Sequence, residues 1–236
     1  MIVLDANTGI TAEPKNFGRA FNVTHTNVDY YPNATVASVE MAGPNGNKVV
    51  TLKAAATLTN PNPDIVPTEY GASADSFEAA VVNLIPPQRA GSLLFEIATA
   101  NSLSGAFDAT GRWASIDELS YEWKAAPGVH IVGDSIASAQ PKAGHIGNQE
   151  AKVCADAILR LETGLQPYPA PVTNSACFTP ITATTATWLT AIFGYDPNTG
   201  KMAALPPGIM EAAAPSTEAY ESMSEWFSEL MADTFR

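Results

Sequence analysis

The sequence has few cysteines and few histidines, and this scarcity limits the chemistry that it supports. Its 236 residues include two cysteines, Cys154 and Cys177, which are too few for a disulfide framework and lack the spacing of a zinc site. The three histidines, His25, His130 and His145, are scattered along the chain. The sequence therefore predicts no metal site.

Basic residues and long apolar runs are scarce as well. The 12 Lys and Arg stand against 24 Asp and Glu, a net charge of -12, which disfavours nucleic acids and anionic membrane surfaces as partners. Threonines interrupt the longest apolar candidate, 181–193, well short of the roughly 18 apolar residues that a membrane-spanning helix needs. The first residues lack the basic and apolar regions of a secretory signal. We therefore expect a soluble chain with no membrane span and no nucleic-acid partner.

The apolar content, 46% of the residues, is sufficient for a sizeable core. Two β-branched segments, 36–41 and 49–53, flank turn residues and predict an antiparallel hairpin. The apolar runs 79–85 and 129–134 lack alternation, as expected of parallel strands that are covered on both faces. The segment 57–76, between the hairpin and the run 79–85, is rich in Pro and Asn and is predicted to be a surface loop.

Helical spacing predicts helices over 90–99 and 149–161 and a closing helix that Ser216 caps. The apolar face of the second helix comprises Ala151, Cys154, Ala155, Ile158 and Leu161. The face of the closing helix comprises Tyr220, Met223, Trp226, Phe227 and Leu230. Prolines that cluster after Gly164 separate this last part of the chain from the rest.

The sharpest local feature is Gly133-Asp134, which ends the predicted strand 129–134 and precedes a glycine-containing loop and a helix. A glycine allows a ligand to approach the backbone, a carboxylate accepts hydrogen bonds from sugar-like hydroxyls, and a helix N-terminus favours negative charge. These groups suit a flavin nucleotide. The same dipeptide is common in ordinary turns, so it does not specify a ligand by itself.

Four longer strings carry a family resemblance. They are Asn83-Leu-Ile-Pro-Pro-Gln-Arg-Ala-Gly91, Gly128-Val-His-Ile-Val-Gly-Asp-Ser135, Pro141-Lys-Ala-Gly144 and Asn148-Gln-Glu-Ala-Lys-Val153. With them the chain resembles the flavoprotein subunit of flavocytochrome c sulfide dehydrogenase, a relative of sulfide:quinone reductases. The resemblance spans nearly the whole chain except residues 57–76.

The resemblance implies an α/β fold that becomes α+β at the C-terminus, as part of a flavoprotein with two dinucleotide-binding domains. Residues 1–78 would be the remnant of the second such domain, with 57–76 inserted as a loop. Residues 79–165 would be the C-terminal part of the FAD-binding domain, and 166–236 a C-terminal interface domain with a redox cysteine. The Gly-x-Gly-x-x-Gly turn that holds the FAD pyrophosphate has no match, so the chain is expected to begin inside the second dinucleotide-binding domain.

The same resemblance implies which residues contact FAD. Gly133 and Asp134 would bind it, with the Asp134 carboxylate on the ribityl chain. Pro141, Lys142 and the helix from about Asn148 would lie near the flavin ring. A positive charge there favours the reduced, anionic flavin, although Lys142 could equally be a solvated loop lysine.

The implied catalytic residues are Cys177 and Trp226. Cys177 would be one of two redox cysteines beside the flavin, although one more residue separates it from Asn174 than the family pattern has. The other redox cysteine would belong to an upstream segment, so the isolated chain is predicted to be inactive. Trp226 would lie near the flavin, or else in an apolar core or interface. Cys154 is interpreted as a small buried apolar residue.

The function that follows is that of an FAD-dependent sulfide dehydrogenase, with sulfide as substrate, a c-type cytochrome subunit as partner and the periplasm as location. Two alternatives stay open. The chain could be a non-catalytic docking or assembly module, or an FAD oxidoreductase with another acceptor, such as a sulfide:quinone reductase.

Overall fold

The computed structural model describes residues 1–41, 44–59 and 73–235. The strands are β1 (Ile2–Leu4), β2 (Asp29–Tyr31), β3 (Val36–Glu40), β4 (Lys48–Thr57), β5 (Ser73–Ala79), β6 (Val172–Pro180), β7 (Ala186–Asp196), β8 (Lys201–Ala204) and β9 (Met210–Glu211). The α-helices are α1 (Pro14–Arg19), α2 (Ser92–Ala100), α3 (Gly144–Glu162) and α4 (Thr217–Phe235). Helices and sheets are thus mixed along the chain, as the predicted α/β and α+β fold class requires.

The strands form three sheets within the described residues. Strands β1 and β2 pair in parallel, whereas β3, β4 and β5 form an antiparallel sheet in that order. The third sheet has the order β6, β7, β8, and β9 also pairs with β7. The predicted hairpin is confirmed by β3 and β4, in which Val39 lies opposite Val50.

The chain divides into two compact units. The first comprises Met1–Ile85, Thr179–Trp188 and Glu211–Ser222, and the second comprises Pro86–Phe178, Leu189–Met210 and Met223–Arg236. These segments do not coincide with the ranges 1–78, 79–165 and 166–236, which stay a prediction.

The core of the first unit lies against the β3–β4–β5 sheet. Its buried members are Tyr31, Ala34, Leu52 and Ala56. The ring of Tyr31 meets the ring of Phe77 edge-on, with 4.8 Å between the centroids. This arrangement is one of the two that aromatic pairs prefer.

The second unit is built around two buried clusters. The larger surrounds Trp123, Tyr121 and Ile136, and the indole N–H of Trp123 donates to the carbonyl of Ala106 at 2.6 Å. In the smaller cluster, Ile146 of α3 packs with Phe193 of β7 and other apolar residues of the sheet. Helix α3 is therefore held from two sides.

The predicted helices are present, but one of their apolar faces differs from the prediction. The buried residues of α3 are Ile146, Glu150, Cys154 and Ala157, whereas Ala151 and Ala155 are exposed. The buried face thus shares only Cys154 with the predicted one. In α4, Ser216 accepts the N–H of Ala219 with its hydroxyl, which confirms the predicted cap, and Phe227 is exposed.

The prediction of parallel strands over 79–85 and 129–134 is wrong. In the run 79–85, only Ala79 belongs to a strand, and Val81 and Ile85 are 84% and 82% exposed. The run 129–134 makes a single bridge, between His130 and Glu122, and then turns. An apolar run is compatible with a buried strand only where neighbouring strands cover it, and sequence does not supply those neighbours.

The predicted loop 57–76 falls mostly outside the described residues, and its last four residues belong to β5. Within the part of the chain that is described, no helix is both long enough and apolar enough to cross a membrane.

The cluster around Ile136 generates a stability prediction. Ile136 is 1% exposed, so Ile136→Ala should lower the free energy of unfolding by about 2–5 kcal/mol through lost burial and a new cavity. Ile209, in the same unit, is 67% exposed, and Ile209→Ala should change it by about 0.5 kcal/mol or less. Chemical denaturation of both variants measures the difference, and equal effects would show that Ile136 is not a core residue.

Candidate functional site

The site is organised by a single 3₁₀ turn, Gly133–Ser135, that packs on the first turns of α3. Gly133 has a φ of +75°, which side-chain-bearing residues rarely adopt. A Cβ atom on Gly147 of α3 would lie 3.4 Å from the Gly133 Cα, so the helix and the turn approach closely. The N–H of Ala114 donates to the carbonyl of Ser135 at 2.9 Å and anchors the other side of the turn.

A buried carboxylate joins the turn to the helix. The N–H of Gly133 donates to Oε2 of Glu150 at 2.6 Å, and Nε2 of Gln140 donates to Oε1 at 3.2 Å. Glu150 is 2% exposed, and no cation among the described residues forms an ion pair with it. Burial raises the pKa of Glu150 to about 7; Gly133 N–H and Lys142 lower it, whereas Glu118 and Asp134 raise it further.

Gln140 extends this network to the sheet. Its Nε2 also donates to the hydroxyl of Tyr121 at 3.1 Å, and its Oε1 accepts the hydroxyl of Thr173 on β6. Burial raises the pKa of Tyr121, so the phenol is neutral at ordinary pH. Four buried polar side chains, Tyr121, Gln140, Glu150 and Thr173, therefore satisfy one another.

A second buried carboxylate, Glu118, has a different environment. It accepts the N–H of Met202 at 2.7 Å and the hydroxyl of Ser138 at 3.3 Å. Lys201 lies 3.6 Å from its Oε1 and supplies a compensating charge. Among the described residues, Glu118 thus has a cation as an ion-pair partner, whereas Glu150 has none.

Lys142 is partly buried beside the turn. Its ammonium donates to the carbonyl of Ile136 at 2.6 Å and lies 4.0 Å from the centre of the Trp113 ring. Burial lowers the pKa of Lys142, against the attraction of Asp134, Glu150 and Asp108. The ammonium is therefore held in one place and does not extend freely into solvent.

The other predicted residues lie close by. Asp134 is exposed on the turn, and Pro141 is exposed immediately before Lys142. Nδ2 of Asn148, on the first turns of α3, donates to the hydroxyl of Thr234 on α4 at 3.1 Å. Asn148 thus uses its amide to link two helices.

The strand that carries Cys177 is attached to the first turn of α3. The N–H of Ala176 donates to Nδ1 of His145 at 3.0 Å, which requires a neutral ring whose proton is on Nε2. Burial lowers the pKa of His145 and favours the same neutral form. Cys177 itself is partly buried.

Trp226 of α4 completes this side of the site. Its ring lies 5.9 Å from the His145 ring, nearly perpendicular to it, and 5.4 Å from the Phe178 ring. Its indole Nε1 is buried, and no described residue accepts a hydrogen bond from it. The structure thus brings Trp226 beside Phe178, the residue that follows Cys177.

Sequence reasoning missed Glu150, Gln140, Tyr121 and Thr173. A signal existed for Glu150, because it recurs with Ile146, Cys154 and Ala157 at helical spacing and so shares their buried face. Cys154 also lies on that face, where burial raises the pKa of its thiol. Among the described residues, no three or more His, Cys, Asp or Glu side chains could hold a metal ion.

Comparison with known proteins leaves the family open. No family model matches the sequence. Among solved structures, a chain of the Tetrahymena thermophila mitochondrial ATP synthase, in its F1Fo composite tetramer, matches with a TM-score of 0.45 and 16% identity over 79% of this chain. The chain spans 39% of the length of that protein. A likeness at this level carries no argument about function.

The pKa of Glu150 predicts a pH-dependent stability. Because folding raises this pKa from 4.5 to about 7, Glu150 contributes stability that is complete below pH 4.5 and is lost as the pH rises to 7. Relative to Glu150→Gln, the wild-type chain should lose up to about 3 kcal/mol of unfolding free energy over that range.

Urea denaturation at several pH values measures this difference. Glu13 and His145, whose pKa values are also shifted, are common to both proteins and cancel in the comparison. A constant difference between the two proteins at every pH would contradict the assignment.

Proposed function

We propose that the chain supplies part of the FAD site of a sulfide dehydrogenase. The observation that supports this most is the gathering of the turn that contains Gly133 and Asp134, the strand that contains Cys177, and Trp226 around the first turns of α3. These are the residues that the resemblance assigns to the cofactor and to sulfide chemistry. They are separated by up to about a hundred positions in sequence, and helix α3 joins them.

The residues present fit a flavin nucleotide. A Cβ atom on Gly133 would meet no atom within 4 Å, so the backbone of the turn is open to a ligand. Helix α3 begins without a side-chain cap, and its exposed first residue is Gly144, which leaves its N-terminal amides available to anionic groups. The buried Nε1 of Trp226 lacks an acceptor that a flavin carbonyl or ring nitrogen could provide.

In this proposal, Gly133 and Asp134 hold the ribityl chain, while Pro141, Lys142 and Asn148 lie near the ring. The ammonium of Lys142 donates a hydrogen bond to the carbonyl of Ile136, and this bond fixes the place of its positive charge. Asn148 positions α3 against α4 through Thr234. The whole N-terminal end of α3 therefore presents positive potential to the cofactor.

The reaction implied is the oxidation of sulfide through a disulfide that includes Cys177. Hydrosulfide attacks one sulfur of this disulfide, the old S–S bond breaks, and the other cysteine leaves as a thiolate. FAD, when bound, would supply the two-electron acceptor for this chemistry, and a c-type cytochrome would be the final acceptor. The first turn of α3 bonds through His145 to Ala176, the residue before Cys177.

Cys154 does not suit the role of second cysteine. It is buried on the inner face of α3, and its raised thiol pKa disfavours the reactive thiolate. The resemblance places the second redox cysteine in an upstream segment. We accordingly assign Cys177 alone to this chain, and we assign the periplasm as the location on the same resemblance.

FAD binding tests the cofactor assignment. In the longer flavoprotein that the resemblance implies, added FAD should lose fluorescence on binding, and Asp134→Ala should weaken binding at least about tenfold, since a hydrogen bond to a charged group contributes about 1.5–3 kcal/mol. Asp156→Ala removes another exposed carboxylate, on α3, and should leave the affinity unchanged. Unaltered FAD fluorescence at any protein concentration would sink the assignment.

Cysteine substitution tests the sulfide chemistry. In the longer flavoprotein that the resemblance implies, which carries the second redox cysteine and is loaded with FAD, Cys177→Ser should abolish sulfide-dependent cytochrome c reduction and leave FAD bound, because a serine hydroxyl cannot form the disulfide. Cys154→Ala is the control and should retain turnover. The absorbance of reduced cytochrome c measures the rate, and unchanged turnover in Cys177→Ser would remove Cys177 from the mechanism.

A further inference from the structure

Glu150 has surroundings that a merely structural carboxylate would not need. It is buried, it accepts two hydrogen bonds from neutral donors, and none of the described cations pairs with it. An unpaired buried carboxylate is unfavourable, and protein carboxylates in such places commonly take up a proton. Glu118, with Lys201 at 3.6 Å, shows the paired alternative within the same unit.

Several charged or titratable groups face Glu150 from the elements around it. Asp134 lies on the turn, Lys142 on the segment before α3, and Glu118 and Tyr121 on the segment before the turn. Strand β6 contributes the neutral Thr173 through Gln140. Two carboxylates and one ammonium thus act on Glu150, and the nearest groups that touch it are uncharged.

The amide of Gln140 can match either protonation state of Glu150. In the arrangement described, Nε2 of Gln140 points at Oε1 of Glu150, which suits an ionised carboxylate. A proton on Oε1 of Glu150 would place two donors, this O–H and the Nε2 of Gln140, opposite each other. The Gln140 amide would therefore turn over, so that its own Oε1 accepts the proton of Glu150. Thr173 and Tyr121 can follow this reversal, because a hydroxyl both donates and accepts.

We propose that Glu150 is a positioning residue of the FAD site that gains and loses a proton at Oε1, and that the ionised form holds the Gly133–Asp134 turn in its ligand-binding geometry. This inference rests on the proposed function for its link to FAD. The physical reason is the bond from Gly133 N–H, since a hydrogen bond to a carboxylate is roughly twice as strong as one to a neutral acceptor. When the Gln140 amide turns over, its hydrogen bond with Thr173 reverses as well. The protonation of Glu150 therefore alters a contact on β6, four residues before Cys177.

The proton site is tested on the 236-residue chain without FAD. The Gly133 amide resonance of ¹⁵N-labelled protein should shift sigmoidally between pH 5 and 9, with a midpoint near the pKa of about 7. Glu150→Gln should remove this titration, whereas Glu162→Gln, an exposed change on the same helix, should preserve it. A Gly133 resonance that does not titrate, or that titrates equally in Glu150→Gln, would overturn the proposal.

The link to FAD is tested by the affinity at two pH values. FAD should bind at least about fivefold more tightly at pH 8 than at pH 6, and the ratio should fall to about one in Glu150→Gln, as expected of a modest coupling free energy. An equal ratio in both proteins, or tighter binding at pH 6, would overturn the link. If neither protein binds FAD at any pH, the proposed function and the link fail together, while the Gly133 titration still decides the proton site.

Discussion

The hydrogen bond between Gly133 N–H and the Glu150 carboxylate is the contact on which the rest of the site depends. It holds the turn, in which Gly133 has a positive φ, against helix α3. The helix can approach the turn this closely because Gly147, which faces Gly133, has no side chain. From this point the Gln140 amide extends to Tyr121 and to Thr173 of β6, so that one buried carboxylate connects the turn, a loop, a helix and a strand. Without it, two donors, the Gly133 N–H and the Gln140 amide, would lose an acceptor.

The first turns and the later turns of helix α3 have different roles. Its first turns carry His145, Asn148 and Glu150, each of which bonds to a different element: β6, α4 and the Gly133 turn. Its later turns bury Cys154 and Ala157 as ordinary packing residues. Stability from the later turns supports the polar contacts of the first ones, whose own net contribution is small because each bond replaces one to water.

The sequence pattern predicted correctly those elements whose contacts join residues close together in the chain. The hairpin of β3 and β4, helix α3 and the cap at Ser216 all follow from spacing and turn chemistry within a few residues. The parallel strands at 79–85 and 129–134 were wrong because an apolar run becomes a strand only when distant segments pair with it. The buried face of α3 was misjudged for a related reason, since a polar residue at Glu150 was excluded from a face defined by apolar ones.

The sequence by itself determined the helices, the hairpin and the mixed fold class, which follow from residue type and near neighbours, and it made Gly133 and Asp134 candidates for a ligand site. The candidacy of Lys142, Cys177 and Trp226 came from the family resemblance. Only the tertiary structure decided that Glu150, Gln140, Tyr121 and Thr173 form one network and that His145 holds the strand beside Cys177. The partners in these contacts stand 10 to 33 positions apart. At such separations sequence spacing says nothing about which side chains meet, because the path of the intervening chain decides it.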